Sequence, residues 1–457
     1  MEPFKSPLEM LKDIIDPEFY KLLKEGAERI LKNNYVRVLA HFDGDGGSAA
    51  IILTAALRRV GIKFHLGFIK SLDGDNFRQR IMEFPDIFTV IVDAGSDQAK
   101  FIEEFENVCI LDHHFSQENS FKGLNINARN FGIDGTRGAC GATMAFVMAL
   151  AMDEKNSDLL PFLVSGVIAD KQDIGGYTGL NQILMEHYGK DLKTVRTLNF
   201  EGENLIDGIT YSTDPFFLDL SGKPDNVRKV LESLEIPSEK SIFDLTEDEK
   251  RMLGEFLASR LLEQNSGSEA IKYLENDMIL FDHLGFTSKE ISTLVDGNAK
   301  VGMNSVPIIY FLGDPAEKEE MVNNWRIFKT KLIEYTYRAF KEVYEEPNVR
   351  YFYAPESEMA GAISGIMMLY LLKQDKPLIG FNVGNNDTKV SSRGSRRQVQ
   401  RGLNLSLIMR ESAREVGGSG GGHDIAAGAV IPRGKEKQFV ETANRLIGQQ
   451  LGKTLLQ

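Results

Sequence analysis

VRVLAHFDGDGG, residues 36–47, joins an apolar run to a cluster of acids and glycines. Alternate residues of an extended segment point the same way, so His41, Asp43 and Asp45 crowd together at the end of the run. Crowded carboxylates repel one another unless a cation or a proton sits between them. The stretch reads as a buried strand that ends in a demand for counter-charge.

Working outward, GSAAIILTAALRRVG (47–61) reads as a helix closed by Gly61. FTVIVDAG (88–95) and VCILDHH (108–114) read as further buried strands, and RGACGATMAFVMALAM (137–152) as a buried helix followed by PFLVSGVIAD (161–170). This alternation predicts an α/β fold with a mostly parallel N-terminal sheet covered by helices on both faces. In such open sheets ligands gather beyond the carboxyl ends of the strands, where these acids lie. Residues 186–345 read as a helix-rich insert. It includes the charged stretch DLTEDEKRML and a long amphipathic helix in MVNNWRIFKTKLIEYTYRAFKEVYEE. From residue 346, RYFYAP, PLIGFNV and TKVSSRGS are strand-like and glycine becomes frequent, so 346–457 reads as a smaller C-terminal α/β domain after a first domain at 1–185. The aromatics Tyr351, Phe352, Tyr353 and Phe381 read as core packing in preference to base stacking.

The 457 residues are enough for two or three domains, and 42% hydrophobic with 26% charged residues is ordinary globular composition. Two cysteines, Cys109 and Cys140, exclude a disulfide framework and a four-cysteine zinc site; small buried thiols and a reducing cytoplasm are expected. The start MEPFKSPLEM lacks the pattern of a signal peptide. The longest apolar run, Ala142–Met152, contains Thr143 and is too short to span a bilayer, so no membrane association is expected. A net charge of −13 argues against a protein that coats nucleic acid, though not against a nucleic-acid enzyme whose metals and local basic groove supply the positive charge.

Four segments end apolar runs with acids or histidines: 41–47, 92–97, 111–114 and 168–173. Pooled, they offer His41, Asp43, Asp45, Asp93, His113 and Asp170. That set suffices for two divalent cations sharing one carboxylate, and its oxygen and imidazole donors suit Mn²⁺ or Mg²⁺. Two such cations about 3.5–4 Å apart activate water and stabilise the leaving oxygen of a phosphoester. A calcium loop starting at Asp43 would need an acid where Thr54 stands. A lone DHH could be a helix cap or a surface turn; the set of four segments weighs against that. Of seven histidines, His41, His113, His114 and His423 fall in these motifs, whereas His65, His187 and His283 read as structural. The run GGSGGGHDIAAG (417–428) could be a linker, but it ends in His423 and a packing-competent segment, so an anion-binding nest is the sharper expectation. Lys389, Ser391, Arg393, Arg396 and Arg397 in KVSSRGSRR could be a solvated basic face; beside the glycines they read as a phosphate clamp.

The set LDHH, HFDGDGG, VDAG and VIAD resembles the DHH phosphoesterase superfamily, and KVSSRGS with GGSGGGHDIAAG resembles its accessory DHHA1 domain. The order and spacing match at both ends of the chain, most like archaeal RecJ-like nucleases. The resemblance implies a two-metal phosphodiesterase, usually Mn²⁺-dependent, acting on single-stranded DNA or RNA ends in replication or repair. It implies that His41, Asp43, Asp93 and Asp170 surround one metal and that Asp45, Asp93 and His113 hold the other. Asp112 would orient a neighbouring histidine, and His114 would contact the scissile phosphate. Arg393, Gly421, Gly422 and His423 would bind substrate phosphate. Ala49 stands where relatives commonly carry a small hydroxyl residue, and the insert has no matched residues. Two other readings stand beside this one: a phosphodiesterase of small nucleotides or short oligonucleotides, and a structural subunit of a replication or repair assembly. A protein partner docking on the helical insert is a further expectation.

Overall fold

A computed structural model describes residues 15–70, 74–116, 120–264, 266–356 and 359–453. The stretch Met1–Met10 read above for a signal peptide lies outside them. By its internal contacts the chain forms two compact units: residues 1–195 with 278–326, and 196–277 with 327–457. The insert is thus divided between them and does not cluster as a body of its own.

In the first unit, helix α1 (Pro17–Leu31) leads into strand β1 (Tyr35–His41), helix α2 (Gly44–Arg59) and strands β2 (Lys63–Ile69), β3 (Thr89–Val92), β4 (Val108–Asp112) and β5 (Leu124–Asn127). All four pairings are parallel, in the order β2-β1-β3-β4-β5. β1, β3 and β4 are buried along almost their whole length because both sheet faces are covered. On one face, Leu39, Ile91 and Ile110 pack with Phe77 and Ile81 of the helix Gly74–Met82. α2 and helix α3 (Gly141–Met152) pack together, and α3 is apolar on every side except at Thr143. An apolar helix of this kind can exist only in a core. Helix α4 (Leu160–Ala169) packs on α2 and α3, helix α5 (Gly179–Tyr188) follows, and helix α6 (Ser288–Lys300) closes over α2 and α4. The strand order reverses between β1 and β3, which leaves an open crevice at their carboxyl ends. Both free cysteines are buried.

A third, three-stranded sheet runs β6 (Lys193–Leu198), β7 (Glu275–Phe281), β8 (Phe286–Thr287). Helix α7 (Lys318–Lys341) contributes to the first unit up to Arg326 and to the second from Ile327.

The second unit holds a six-stranded sheet of β9 (Tyr344–Glu345), β10 (Arg350–Tyr353), β11 (Leu378–Val383), β12 (Asp387–Arg393), β13 (Ser419–Gly422) and β14 (Ala426–Pro432), in the order β13-β14-β12-β11-β10-β9. Only β10 and β11 run parallel. Helices α8 (Leu405–Glu415) and α9 (Glu436–Lys453) complete a core with Ile379, Phe381, Ile408 and Phe439. Phe352 and Phe381 are fully buried, whereas Tyr353 keeps 45% of its surface exposed. Among the described residues no helix is long and apolar enough to cross a membrane.

Candidate metal centre

The carboxyl ends of β1, β3 and β4 deliver their side chains to the β1/β3 crevice. His41 is the last residue of β1, and Asp43 caps α2, accepting the Gly46 N–H at 3.1 Å. Asp45 lies in the first turn of α2, and its carboxylate accepts the amides of Gly141 and Ala142 at 2.6 and 2.8 Å, at the N-terminus of α3. Asp93 follows β3 with φ 63°, a left-handed conformation that aspartate tolerates better than most residues. Gly141 must be glycine beside it, since a Cβ there would lie 2.3 Å from Asp93 Cβ. Asp170 is the C-cap of α4.

Asp93 is the hub. One of its oxygens lies 3.5 Å from His41 Nδ1 and the other 3.1 Å from His113 Nε2. Asp43 Oδ2 is 3.0 Å from His41 Nδ1, and Asp45 and Asp170 oxygens are 3.8 and 3.9 Å from His113 Nε2. Three sets of donor atoms lie close together: His41 with Asp43 and Asp93, Asp45 with His113 and Asp170, and Asp93 with Asp112, His113 and His114. This differs from the grouping the resemblance implies: Asp170 falls with Asp45 and His113, and its carboxylate accepts Gln172 Nε2–H at 2.7 Å.

The donors fit divalent cations. His113 donates Nδ1–H to the Gly135 carbonyl at 2.6 Å, so neutral His113 turns the lone pair of Nε2 toward three carboxylates. Lone pairs facing carboxylates repel unless a proton or a cation lies between them. His41 Nδ1 is buried near two carboxylates yet aligned for a hydrogen bond with neither. Without a metal, protons must supply the compensation. Burial pulls the His41 and His113 pKa values down, but the flanking carboxylates, Asp43 and Asp93 for His41 and Asp93 and Asp45 for His113, outweigh it and raise both to about 10. Burial, then the charges of Asp93 and Asp170, raises Asp45. Burial alone would raise Asp93 as well; its two imidazole neighbours reverse the sign and hold it well below the usual carboxylate range.

Asp112 has another role. Its fully buried carboxylate accepts N–H groups from Ser96, His113 and His114 and the Nδ1–H of His114 at 2.8 Å. With its lone pairs committed, it orients His114, whose side chain is 53% exposed, and the Asp112 hydrogen bond raises the pKa of that imidazole.

In the second unit the sheet register places Ser391, Gly428 and Gly421 in one row and Arg393 beside Ala426, with His423 N–H donating to Ala426 O. The glycine run is therefore an edge strand and tight turn where a nest was expected. Its N–H groups are partly spent on β14, and Gly422, at φ 136°, makes the turn. Arg393 is largely enclosed. Its Nη1 donates to Ser392 O, burial lowers its pKa, and among the described residues no carboxylate pairs with it. Lys389 and His423 are exposed. Arg396 is exposed too, its Nε 3.1 Å from Glu269. Sequence reading missed Gly135 and the α3 amides, which act through backbone groups, and Gln172, which acts through its side-chain amide; no residue spacing announces these contacts.

The profile of the DHH family N-terminal domain matches residues 35–167, and that of the DHHA1 domain matches 348–449. An uncharacterized protein of Methanocaldococcus jannaschii is 29% identical over 454 residues, covering 95% of this chain and 98% of its own. RecJ from Thermus thermophilus, solved with Mn²⁺, superposes with a TM-score of 0.57 at 16% identity over 94% of this chain; the chain spans about half, 55%, of that protein's length. CDC45 from Entamoeba histolytica gives 0.55 at 12% identity, covering 94% of this chain and 98% of that one. A manganese-bound exonuclease RecJ gives 0.53 at 16% identity, covering 93% and 94%. With its α/β architecture and both domain profiles in order, the chain belongs to the DHH/DHHA1 superfamily.

Proposed function

We propose that this protein is a two-metal-dependent exonuclease acting on single-stranded DNA or RNA, in replication or repair. The observation that carries the reading is Asp93, whose two carboxylate oxygens face His41 and His113 and so link two carboxylate–imidazole groups. His41, Asp43 and Asp93 would hold one cation, and Asp45, His113, Asp170 and Asp93 the other, Mn²⁺ preferred and Mg²⁺ accepted. When bound, such a pair supplies an activated water and neutralises charge on the leaving oxygen. His114, held by Asp112, presents Nε2 outward as a donor to a phosphate oxygen. In the second unit, Arg393, Ser391 and the Gly421–His423 turn would hold strand phosphates, with Lys389 and Arg396 adding diffuse attraction. Phosphate contacts carry no sequence information, so cleavage should be sequence-tolerant. A reducing cytoplasm is the proposed location.

The fold is shared with RecJ and with CDC45, so a structural subunit is the competing reading, and a small-nucleotide phosphodiesterase the other. The full donor set favours hydrolysis. The test is cleavage of end-labelled single-stranded DNA and RNA with Mn²⁺, Mg²⁺ or EDTA, comparing wild type with Asp93→Ala. The expected result is a metal-dependent ladder absent from the variant. No cleavage of either polymer, with short oligonucleotides hydrolysed, would turn the reading to the small substrate. No hydrolysis at all would favour the subunit. A partner docking on the charged helix Glu247–Glu263 is proposed as well, checked by pull-down after reversing its exposed acids.

A further inference from the structure

One fully buried glutamine connects two donors of the candidate metal centre. After α4 the chain turns with Lys171 at φ 57°, Lys171 N–H donating to Ile168 O and Gln172 N–H to Val167 O. This is the left-handed helix stop usually made with glycine. It turns the Gln172 side chain back beneath Asp170. There Nε2 faces three acceptors: Asp170 Oδ2 at 2.7 Å, Ala139 O at 2.9 Å and Gly135 O at 3.2 Å. Gly135 O is the carbonyl that accepts His113 Nδ1–H. The orientation of the amide is set from behind, since Asn181 Nδ2 donates to Gln172 Oε1 at 2.8 Å and Thr143 Oγ1 donates to Asn181 Oδ1 at 2.6 Å. Residues from α3, α5 and the α4 stop thus fix one amide, and that amide fixes both the carbonyl that selects the His113 tautomer and the carboxylate of Asp170. Outer partners of this kind orient metal ligands, and their loss typically weakens metal binding about 10–100-fold.

We propose that Gln172 is a positioning residue that sets His113 and Asp170 for divalent-cation binding; this rests on the reading of the site as a metal centre. Calorimetric titration of Mn²⁺ into metal-free protein tests it, comparing wild type with Gln172→Met, which keeps volume and removes the amide. Gln172→Asn serves as a second variant. It keeps a polar group in the buried network but is one methylene too short to reach Asp170. Wild type should bind two equivalents. Each variant should keep one equivalent at wild-type affinity and bind the other about 10–100-fold more weakly. A merely structural role would lower the melting temperature and leave both affinities unchanged. Two wild-type affinities in either folded variant overturn the inference alone. Absence of Mn²⁺ binding by wild type overturns the metal-centre reading and this inference with it.

Discussion

At Asp93 a single carboxylate faces two imidazoles, so Asp93→Asn removes the charge that both groups share. Calorimetry should show Mn²⁺ affinity falling at least about 100-fold at both equivalents, beyond the loss typical of an outer partner. The histidines also make metal-free stability depend on pH. Their pKa is 6.5 in an unstructured chain and about 10 in the folded protein. A pKa raised on folding adds stability that is complete below the unfolded value and lost as pH rises through the folded one. With EDTA, the melting temperature should therefore fall as pH rises from about 7 to 10. With Mn²⁺ it should hold, because the cation replaces the protons. A flat profile in EDTA would contradict the arrangement. Gly141→Ala drives a methyl group against Asp93 and should cost about 1–3 kcal/mol in chemical denaturation while weakening Mn²⁺ binding. The sequence displayed the acids and histidines because strand alternation and position are local. It did not display Gln172 or Gly135, whose roles depend on where distant segments meet.

At the scale of elements, α6 lies behind α2 and α4, the helices that carry Asp45 and Asp170. Its start is a capping box: Thr287 Oγ1 accepts Glu290 N–H at 3.1 Å, and Glu290 Oε2 accepts Thr287 N–H at 2.8 Å. Thr287→Ala should cost about 1 kcal/mol in urea unfolding and leave Mn²⁺ affinity unchanged, since Thr287 and Glu290 are not among the grouped donors. The glycine-rich segment shows what element-level reading cannot supply. Glycine repeats suit a linker, a nest or an edge strand equally well, and only pairing with β14 decides among them.

Across the whole molecule the charge is −13, so attraction for a polyanion has to come from local cations. Among the described residues Arg393 is enclosed without an acid, while Arg396 already pairs with Glu269. Arg393→Ala should weaken single-strand binding for every sequence tested and lower the salt slope by about 0.7, the single-strand value per phosphate; Arg396→Ala should change it less. Filter binding across a salt series checks both. The sequence by itself determined the α/β class, the parallel first sheet, the acid-bearing strand ends and the glycine-rich second sheet, because hydrophobic periodicity and turn residues act over neighbouring positions. Tertiary structure alone decided that Asp170 joins Asp45 and His113, that Asp112 serves His114, and that the insert is shared between two units. Those outcomes depend on contacts between residues far apart in the chain, and spacing along the sequence carries no record of them.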